Sequence, residues 1–191
     1  MKNKHKLTNH LMIDCETLSL ETNAVIATIG AVVFRLDGEV EILDSLYLRL
    51  KLHDQVQMGR HISADTFLWW LQQDELARRE LYDPVLDIFS SYNALVLLKN
   101  FCVERSIEKF WANGNMIDCA WMRSLFNDHN LIYPVSFRDD LDFRTAKVLT
   151  ETKRPNYKFK WPKSGVKHNA LDDAKNQAIC LMHMFKDVIL K

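Results

Sequence analysis

Residues 8–16 read TNHLMIDCE, in which an apolar Leu11-Met12-Ile13 run meets two acids separated by one residue. The spacing predicts a short strand over 8–14, with Asp14-Cys15-Glu16 at its end. On an extended backbone residues i and i+2 point to the same face, so Asp14 and Glu16 stand side by side. Like charges that close repel unless something positive lies between them, and a hard divalent cation is the natural neutraliser. An isolated DxE triplet is also a common solvated strand end, so its meaning depends on what the rest of the chain brings to it.

Working outward, residues 25–34 are a β-rich apolar run. Residues 36–39 (Leu36-Asp37-Gly38-Glu39) have hairpin turn chemistry, and 41–50 make a third strand. No helical period separates these three strands. Ser63 is a plausible N-cap for a helix running through Trp69 and Trp70, and a second helical stretch covers 94–103. Residues 109–112 resemble a short buried strand, closed by Asn113-Gly114-Asn115 and followed by a helix from about Asp118. A short helix is expected over 142–149 and a loop over 151–167, which holds Pro155, Pro162 and Gly165. A last helix runs from about Asn169 to the C-terminus. Strands first and interleaved helices afterwards give an α/β fold: a mixed central sheet with three antiparallel front strands flanked by helices. With 191 residues and no repeat or Pro/Ser-rich linker, one domain over 1–191 is expected.

Composition excludes several function classes. The five glycines lie far apart, which rules out a GxGxxG dinucleotide loop and a P-loop. The four cysteines form no CxxC pair and have no clustered histidines, so neither a zinc ribbon nor a disulfide framework is expected. Reduced thiols and a cytoplasmic chain follow as expectations. The start, MKNKHKLTNH, is basic but lacks the apolar stretch of a signal peptide. The most apolar run, 24–34, has eleven residues and is too short to span a bilayer. Lys plus Arg and Asp plus Glu both total 25, giving a net charge of zero. That balance is not uniform: residues 144–167 carry eight basic side chains against Glu151 alone. The acidic remainder includes Asp14 and Glu16, so net neutrality sets no limit on nucleic-acid binding.

Further acids fall at informative places. Asp118 sits where a strand gives way to a helix, the position at which open α/β sheets collect ligands, although a helix-start aspartate is also ordinary. In the last helix Ala174, Ala178, Leu181, Phe185 and Val188 form one apolar stripe. At about 100° per residue Asp173 falls on the flank of that stripe with Gln177 and Met184, and is the expected inward ligand. Asp172 falls at the back and is expected to be a solvated helix-start charge. His168 precedes the first turn, so loop geometry places it.

In order, Asp14, Glu16, Asp118, His168 and Asp173 resemble the motifs of the DEDDh exonucleases of the DnaQ-like superfamily, which have a ribonuclease H-like fold. The resemblance sharpens toward the phage exonuclease A-like, exonuclease VIII-like group. Its T-x-x-W-W-x-x-Q-x-x-x-A-R signature is matched by Thr66, Trp69, Trp70, Gln73, Ala77 and Arg78, and its D-x-R-T element by Asp142, Arg144 and Thr145. Ile117 departs from the Phe usual before the second-motif aspartate; both are apolar packing groups.

The resemblance implies 3′–5′ exonuclease action on single-stranded DNA or RNA 3′ ends, or on 3′ overhangs, with release of nucleoside 5′-monophosphates. It implies two Mg²⁺ or Mn²⁺ ions held by Asp14, Glu16, Asp118 and Asp173, and His168 as general base, a task that an imidazole suits at neutral pH. It also makes a homodimer an expected assembly, and no membrane partner is expected. The alternatives are an RNA-trimming enzyme of the RNase T or oligoribonuclease type, or a non-cutting nucleic-acid-binding module with the same fold. Thr17, Asn115, Trp70, Gln73, Arg144, Lys158 and Lys160 are the candidate substrate contacts. Arg144 is suited either to clamp a phosphate or to pair with Asp142. If 156–163 is extended, Tyr157, Phe159 and Trp161 share one face and Lys158 and Lys160 the other. That is either a stacking platform or a loop pinned to the core by its aromatics. Trp69 and Trp70 cannot point the same way from one helix, so one is expected in the core and the other under a loop or a partner subunit.

Overall fold

A computed structural model describes residues 8–82, 87–162 and 165–190. The chain opens with three strands, β1 (Asn9–Thr17), β2 (Ile26–Phe34) and β3 (Asp44–Leu50). Three short helices follow, α1 (Leu52–Gln57), α2 (Ala64–Leu71) and α3 (Glu75–Tyr82), then a two-residue strand β4 (Ile88–Phe89). The second half alternates: α4 (Ser91–Glu104), β5 (Ile107–Ala112), α5 (Asp118–Asp128), β6 (Asp140–Asp142), α6 (Phe143–Lys153) and α7 (Ala170–Met184). A π-helical turn over Phe185–Ile189 ends the described chain.

The six strands form one sheet in the order β4-β3-β2-β1-β5-β6. β1, β2 and β3 pair antiparallel, with Asp14 opposite Gly30 and Gly30 opposite Tyr47. β5 runs parallel to β1, with Ile13 beside Ala112. β6 lies parallel to β5, and β4 parallel to β3. This is the mixed sheet with an antiparallel front expected from the sequence. Both edge strands are only two or three residues long, which leaves little unpaired backbone for edge-to-edge association.

Alternation along β1 divides the core. Leu11, Ile13 and Cys15 pack with α4 and α5 on one face, in a cluster that includes Leu98, Phe101, Met122 and Phe126. Met12 packs on the other with Phe143 of α6 and Ala174, Ala178 and Leu181 of α7. Ala174, Ala178 and Leu181 of the apolar stripe read from the sequence therefore lie on the buried face of α7, and Phe185 and Val188 continue it into the π-helical turn. All four cysteines are buried and free. No helix among the described residues is long and apolar enough to cross a membrane.

Boundaries differ in instructive ways. β1 continues to Thr17, so Asp14 and Glu16 lie inside a strand and not at its end. β3 begins at Asp44; Gly38 takes a positive φ of 101° in the preceding turn. Asp142 is the N-cap of α6 and accepts from the Thr145 amide, and that helix runs to Lys153, shortening the expected loop. Ser63 caps α2 as expected. Lys163 and residues 1–7 lie outside the described residues.

One half-buried histidine couples the fold to pH. His10 on β1 accepts a hydrogen bond from the Trp111 indole at 3.0 Å and stacks on Phe34. Burial, helped by Lys109, lowers its pKa to about 4. Because the folded value lies below the unfolded one, the unfolded chain takes up a proton first as pH falls. The stability linked to this group is complete above about pH 6.5 and drains away toward pH 4. The loss at pH 4 is about 3 kcal/mol. His10→Gln keeps an acceptor for Trp111 but has no titrating ring. Urea unfolding between pH 7 and pH 4 is expected to show wild type losing that much more stability than the variant; parallel losses would sink the assignment.

Candidate active site

β1 and β5 are neighbours running in the same direction, so their C-terminal ends open on one side of the sheet, and the acidic residues collect there. Asp14 and Glu16 project from β1 toward the α7 side. Asp118 is the first residue of α5, just past β5; it is buried, and its Oδ1 accepts from the Cys15 amide at 3.1 Å. The backbone between the two first-motif acids thus holds the second-motif carboxylate in place.

α7 brings the remaining groups. Its first turn lies directly on β2, where a Cβ on Gly30 would sit 2.2 Å from the Ala170 carbonyl. Asn169 caps the helix, its Oδ1 accepting from the Asp172 amide at 3.0 Å. Asp173 Oδ2 accepts from the His168 amide at 3.0 Å, fixing the histidine at a φ of 65°. Gln177, one turn after Asp173, donates to Asp14 Oδ1 at 2.7 Å. All five expected residues line one cavity of about 590 Å³, together with Gln177, Arg144 and Trp161.

The electrostatics are those of crowded acids. Burial, then the neighbouring Asp118, pushes the Asp14 carboxyl well above its ordinary range, against the opposing Gln177 hydrogen bond. Glu16 is pushed up to about 10, by burial first and Asp14 and Asp173 next. Asp118 rises only to about 6, because backbone amides and the Arg144 guanidinium oppose its burial. Asp173 is raised by burial. His168 is lowered by burial and then by Lys167, with Asp173 opposing.

These residues fit a divalent cation. Glu16, His168 and Asp173 each offer one ligand atom within 4.8 Å of the others. His168 Nε2 is buried and has no hydrogen-bond partner among the described residues. Carboxylate oxygens dominate the donor set, as hard cations require, and a bound cation relieves the repulsion among them.

The surrounding residues distribute less as expected. Asp172 is half-buried and not a free helix-start charge: its Oδ2 accepts from the Val166 amide at 2.8 Å and holds the turn that carries His168. Trp70 is corrected from substrate contact to core residue. It is 1% exposed, and its indole donates to the Thr17 carbonyl at 2.9 Å. Trp69 is the exposed partner, edge-on to His168 at 4.9 Å between ring centres. Thr17 lines an adjoining recess of about 400 Å³ with Trp69, Leu20, Asp65 and Trp121. Gln73 is half-buried just past α2 and turns its amide back to the Trp69 carbonyl of that helix. Asn115 donates its amide to Asp142, and it is Asn113 that lines the cavity. Ile117 also lines the cavity, 40% exposed, and is not a buried packing group.

Arg144 reaches over Gly114 into the cavity, while Asp142 is engaged by Asn115 and Thr145. The segment after α6 follows the pinned-loop alternative at Tyr157 and Phe159, both half-buried against the core. The expected division of faces fails there, because Tyr157 and Lys160 both bind Asp187, at 2.9 and 2.8 Å. Lys160 is thereby drawn away from the cavity. Lys158 is exposed and outside the cavity lining. Trp161 packs on Phe143 and lines the cavity rim. Of the lining residues absent from the expected set, Gln177 had a signal, since the helical wheel put it beside Asp173. Leu20, Trp121 and Asn113 sit on turns or helix faces with no such pattern.

A six-stranded mixed sheet presenting an Asp-x-Glu pair, a second aspartate and a His-x₄-Asp helix start around one cavity defines a 3′–5′ exonuclease of the DEDDh type. Residues 9–185 match the family described as the Rv2179c-like 3′–5′ exoribonuclease domain, and the chain belongs to that family. Among solved structures, the nuclease domain of 3′hExo, a DEDDh family member bound to rAMP, is 13% identical with a TM-score of 0.67. The match covers 96% of this chain and 94% of that one. Cell-death related nuclease 4 is 14% identical at a TM-score of 0.66, covering 92% and 63%. E. coli exonuclease I in complex with a 5cy-dT13 oligonucleotide is 13% identical at 0.61, covering 95% and 42%. The chain therefore spans under two thirds of the second protein and under half of the third. At these identities the likeness is one of fold. A comparison with curated proteins finds no match.

Gly30→Ala tests how the site is assembled. The added methyl would strike the backbone of Ala170 and Leu171, which cannot move aside as a flexible side chain would. The expected result is destabilisation of about 2–4 kcal/mol with loss of divalent-cation binding, read by thermal denaturation with and without Mn²⁺. Wild-type stability and cation response in this variant would contradict the packing.

Proposed function

We propose that this chain, as one domain over residues 1–191, removes nucleotides from the 3′ end of single-stranded RNA, releasing nucleoside 5′-monophosphates. The observation that carries the reading is the convergence of Asp14, Glu16, Asp118, His168 and Asp173 on one cavity. The family's description as an exoribonuclease supports RNA, as does the rAMP bound in the structural neighbour of matching length. The oligonucleotide complex of E. coli exonuclease I supports single-stranded DNA as the second reading.

Asp14, Glu16 and Asp173 would hold one Mg²⁺ or Mn²⁺ ion, and Asp14 with Asp118 a second. Bound there, two such cations supply charge neutralisation for the attacking and leaving oxygens of an in-line displacement at phosphorus. Gln177 holds Asp14 in its working orientation through their hydrogen bond. His168, with its buried and unpartnered Nε2, takes the proton of the attacking water. Arg144 offers its planar fork to the phosphate. Trp69, Leu20 and Trp121 wall a recess that takes the terminal base by its apolar faces, with Thr17 at its edge.

The test incubates 5′-labelled RNA and DNA of one sequence with the purified chain in Mg²⁺, Mn²⁺ or EDTA. Stepwise shortening of RNA from the 3′ end, abolished by EDTA, is expected. Asp14→Ala is expected to lower turnover by more than about a thousandfold and His168→Ala by about 10²–10⁴-fold, both with the fold retained. Binding without shortening would reject the enzyme in favour of a binding module, and shortening of DNA alone would reject RNA.

A further inference from the structure

Glu80 lies in the last turn of α3, a helix that meets the core through Ala77 and Leu81, yet its side chain is buried at 6% exposure. A carboxylate taken out of water needs donors, and two of them come from different parts of the fold. Tyr47 on β3 donates its hydroxyl to Oε2. The Asn169 side-chain amide donates to Oε1 at 2.7 Å. Tyr47 stands opposite Gly30, the position on which the first turn of α7 rests.

Asn169 is the residue after His168 and the cap of the helix that carries Asp173. Its Oδ1 is committed to the Asp172 amide and its Nδ2 to Glu80, so its amide is fixed from both sides. His168 itself has a φ of 65°, a left-handed conformation that a non-glycine residue keeps only when its surroundings hold it there. From below, Asp173 holds the His168 amide. From the side, α3 ties in through the Glu80 carboxylate on the very next residue.

We propose that Glu80 is a positioning residue of the nuclease centre: backed by Tyr47, it braces Asn169 and so sets where the His168 imidazole stands over Glu16 and Asp173. The proposal rests on the functional reading above. Glu80 touches no reacting atom, so its removal displaces the base without removing a substrate contact. A displacement of this kind acts on turnover more than on binding.

The experiment compares Glu80→Ala, Glu80→Gln and Tyr47→Phe with wild type, each checked for fold by circular dichroism. On single-stranded RNA, Glu80→Ala is expected to lower kcat roughly tenfold to a hundredfold, with KM within about twofold. Glu80→Gln keeps an acceptor for Asn169 and a donor for the Tyr47 oxygen, and is expected to recover most of the loss; Tyr47→Phe falls between. If Glu80→Ala fails to fold, the order wild type, Glu80→Gln, Tyr47→Phe still decides the matter. A kcat within twofold of wild type for Glu80→Ala, or Glu80→Gln as impaired as Glu80→Ala, overturns the brace. A wild-type chain that shortens no nucleic acid overturns the functional reading alone. The brace is then judged on ¹H–¹⁵N imidazole spectra: His168 signals shift or broaden in Glu80→Ala while those of exposed His53 stay unchanged. Unmoved His168 signals overturn it.

Discussion

Carboxylates packed into one cavity repel one another, and burial strengthens that repulsion because little water remains to screen it. Asp14, Glu16, Asp118 and Asp173 come from three places in a 191-residue chain, and three of the four are held by a bond that works against the repulsion. Asp118 is tied to the Cys15 amide, Asp14 to the Gln177 amide and Asp173 to the His168 amide. The rest of the structure supplies the rigidity that these ties need. Parallel β1 and β5 bring Asp14, Glu16 and Asp118 together at one end of the sheet, and Gly30 lets the start of α7 close over them.

The same arrangement explains why the carboxyl pKa values move as they do. Asp14 and Glu16 rise most, because burial and then a neighbouring carboxylate, Asp118 for Asp14 and Asp14 for Glu16, favour the neutral form. Asp118 rises least of these three, because backbone amides and Arg144 favour its charge. A divalent cation substitutes for protons at such a centre, so the stability of the site and its chemistry depend on the same ion. A polypeptide that kept this fold for binding alone would have no need to sustain so much buried acid, although the fold by itself does not dictate the reaction.

Much of this was legible in the residues. Strand alternation placed Asp14 and Glu16 on one face, the strand-to-helix junction placed Asp118, and the helical wheel chose Asp173 over Asp172. Each of those inferences uses a short-range period. The failures are where a residue's role is decided by something distant in sequence. Asp172 looked solvated on the wheel of its own helix but captures the Val166 amide from the preceding turn. Trp70 and Trp69 are adjacent in a recognisable signature, yet only the Thr17 carbonyl, 53 residues away, decides which is buried. Tyr157 and Lys160 share Asp187, a partner that no pattern within 156–163 announces. The short elements α1, α3, β4 and β6 went unread because six or eight residues at most carry too little period to distinguish. Glu80 has no local signal at all: its meaning comes from Tyr47 and Asn169.

The central claim is that these acids form one cation-binding centre, and diffraction from crystals grown with Mn²⁺ and a nucleoside 5′-monophosphate tests it most directly. Anomalous difference maps are expected to show Mn²⁺ bound by Asp14, Glu16 and Asp173, and a second peak beside Asp14 and Asp118. Maps with no manganese within bonding distance of Asp14 and Glu16, at a concentration that supports full turnover, would contradict the account.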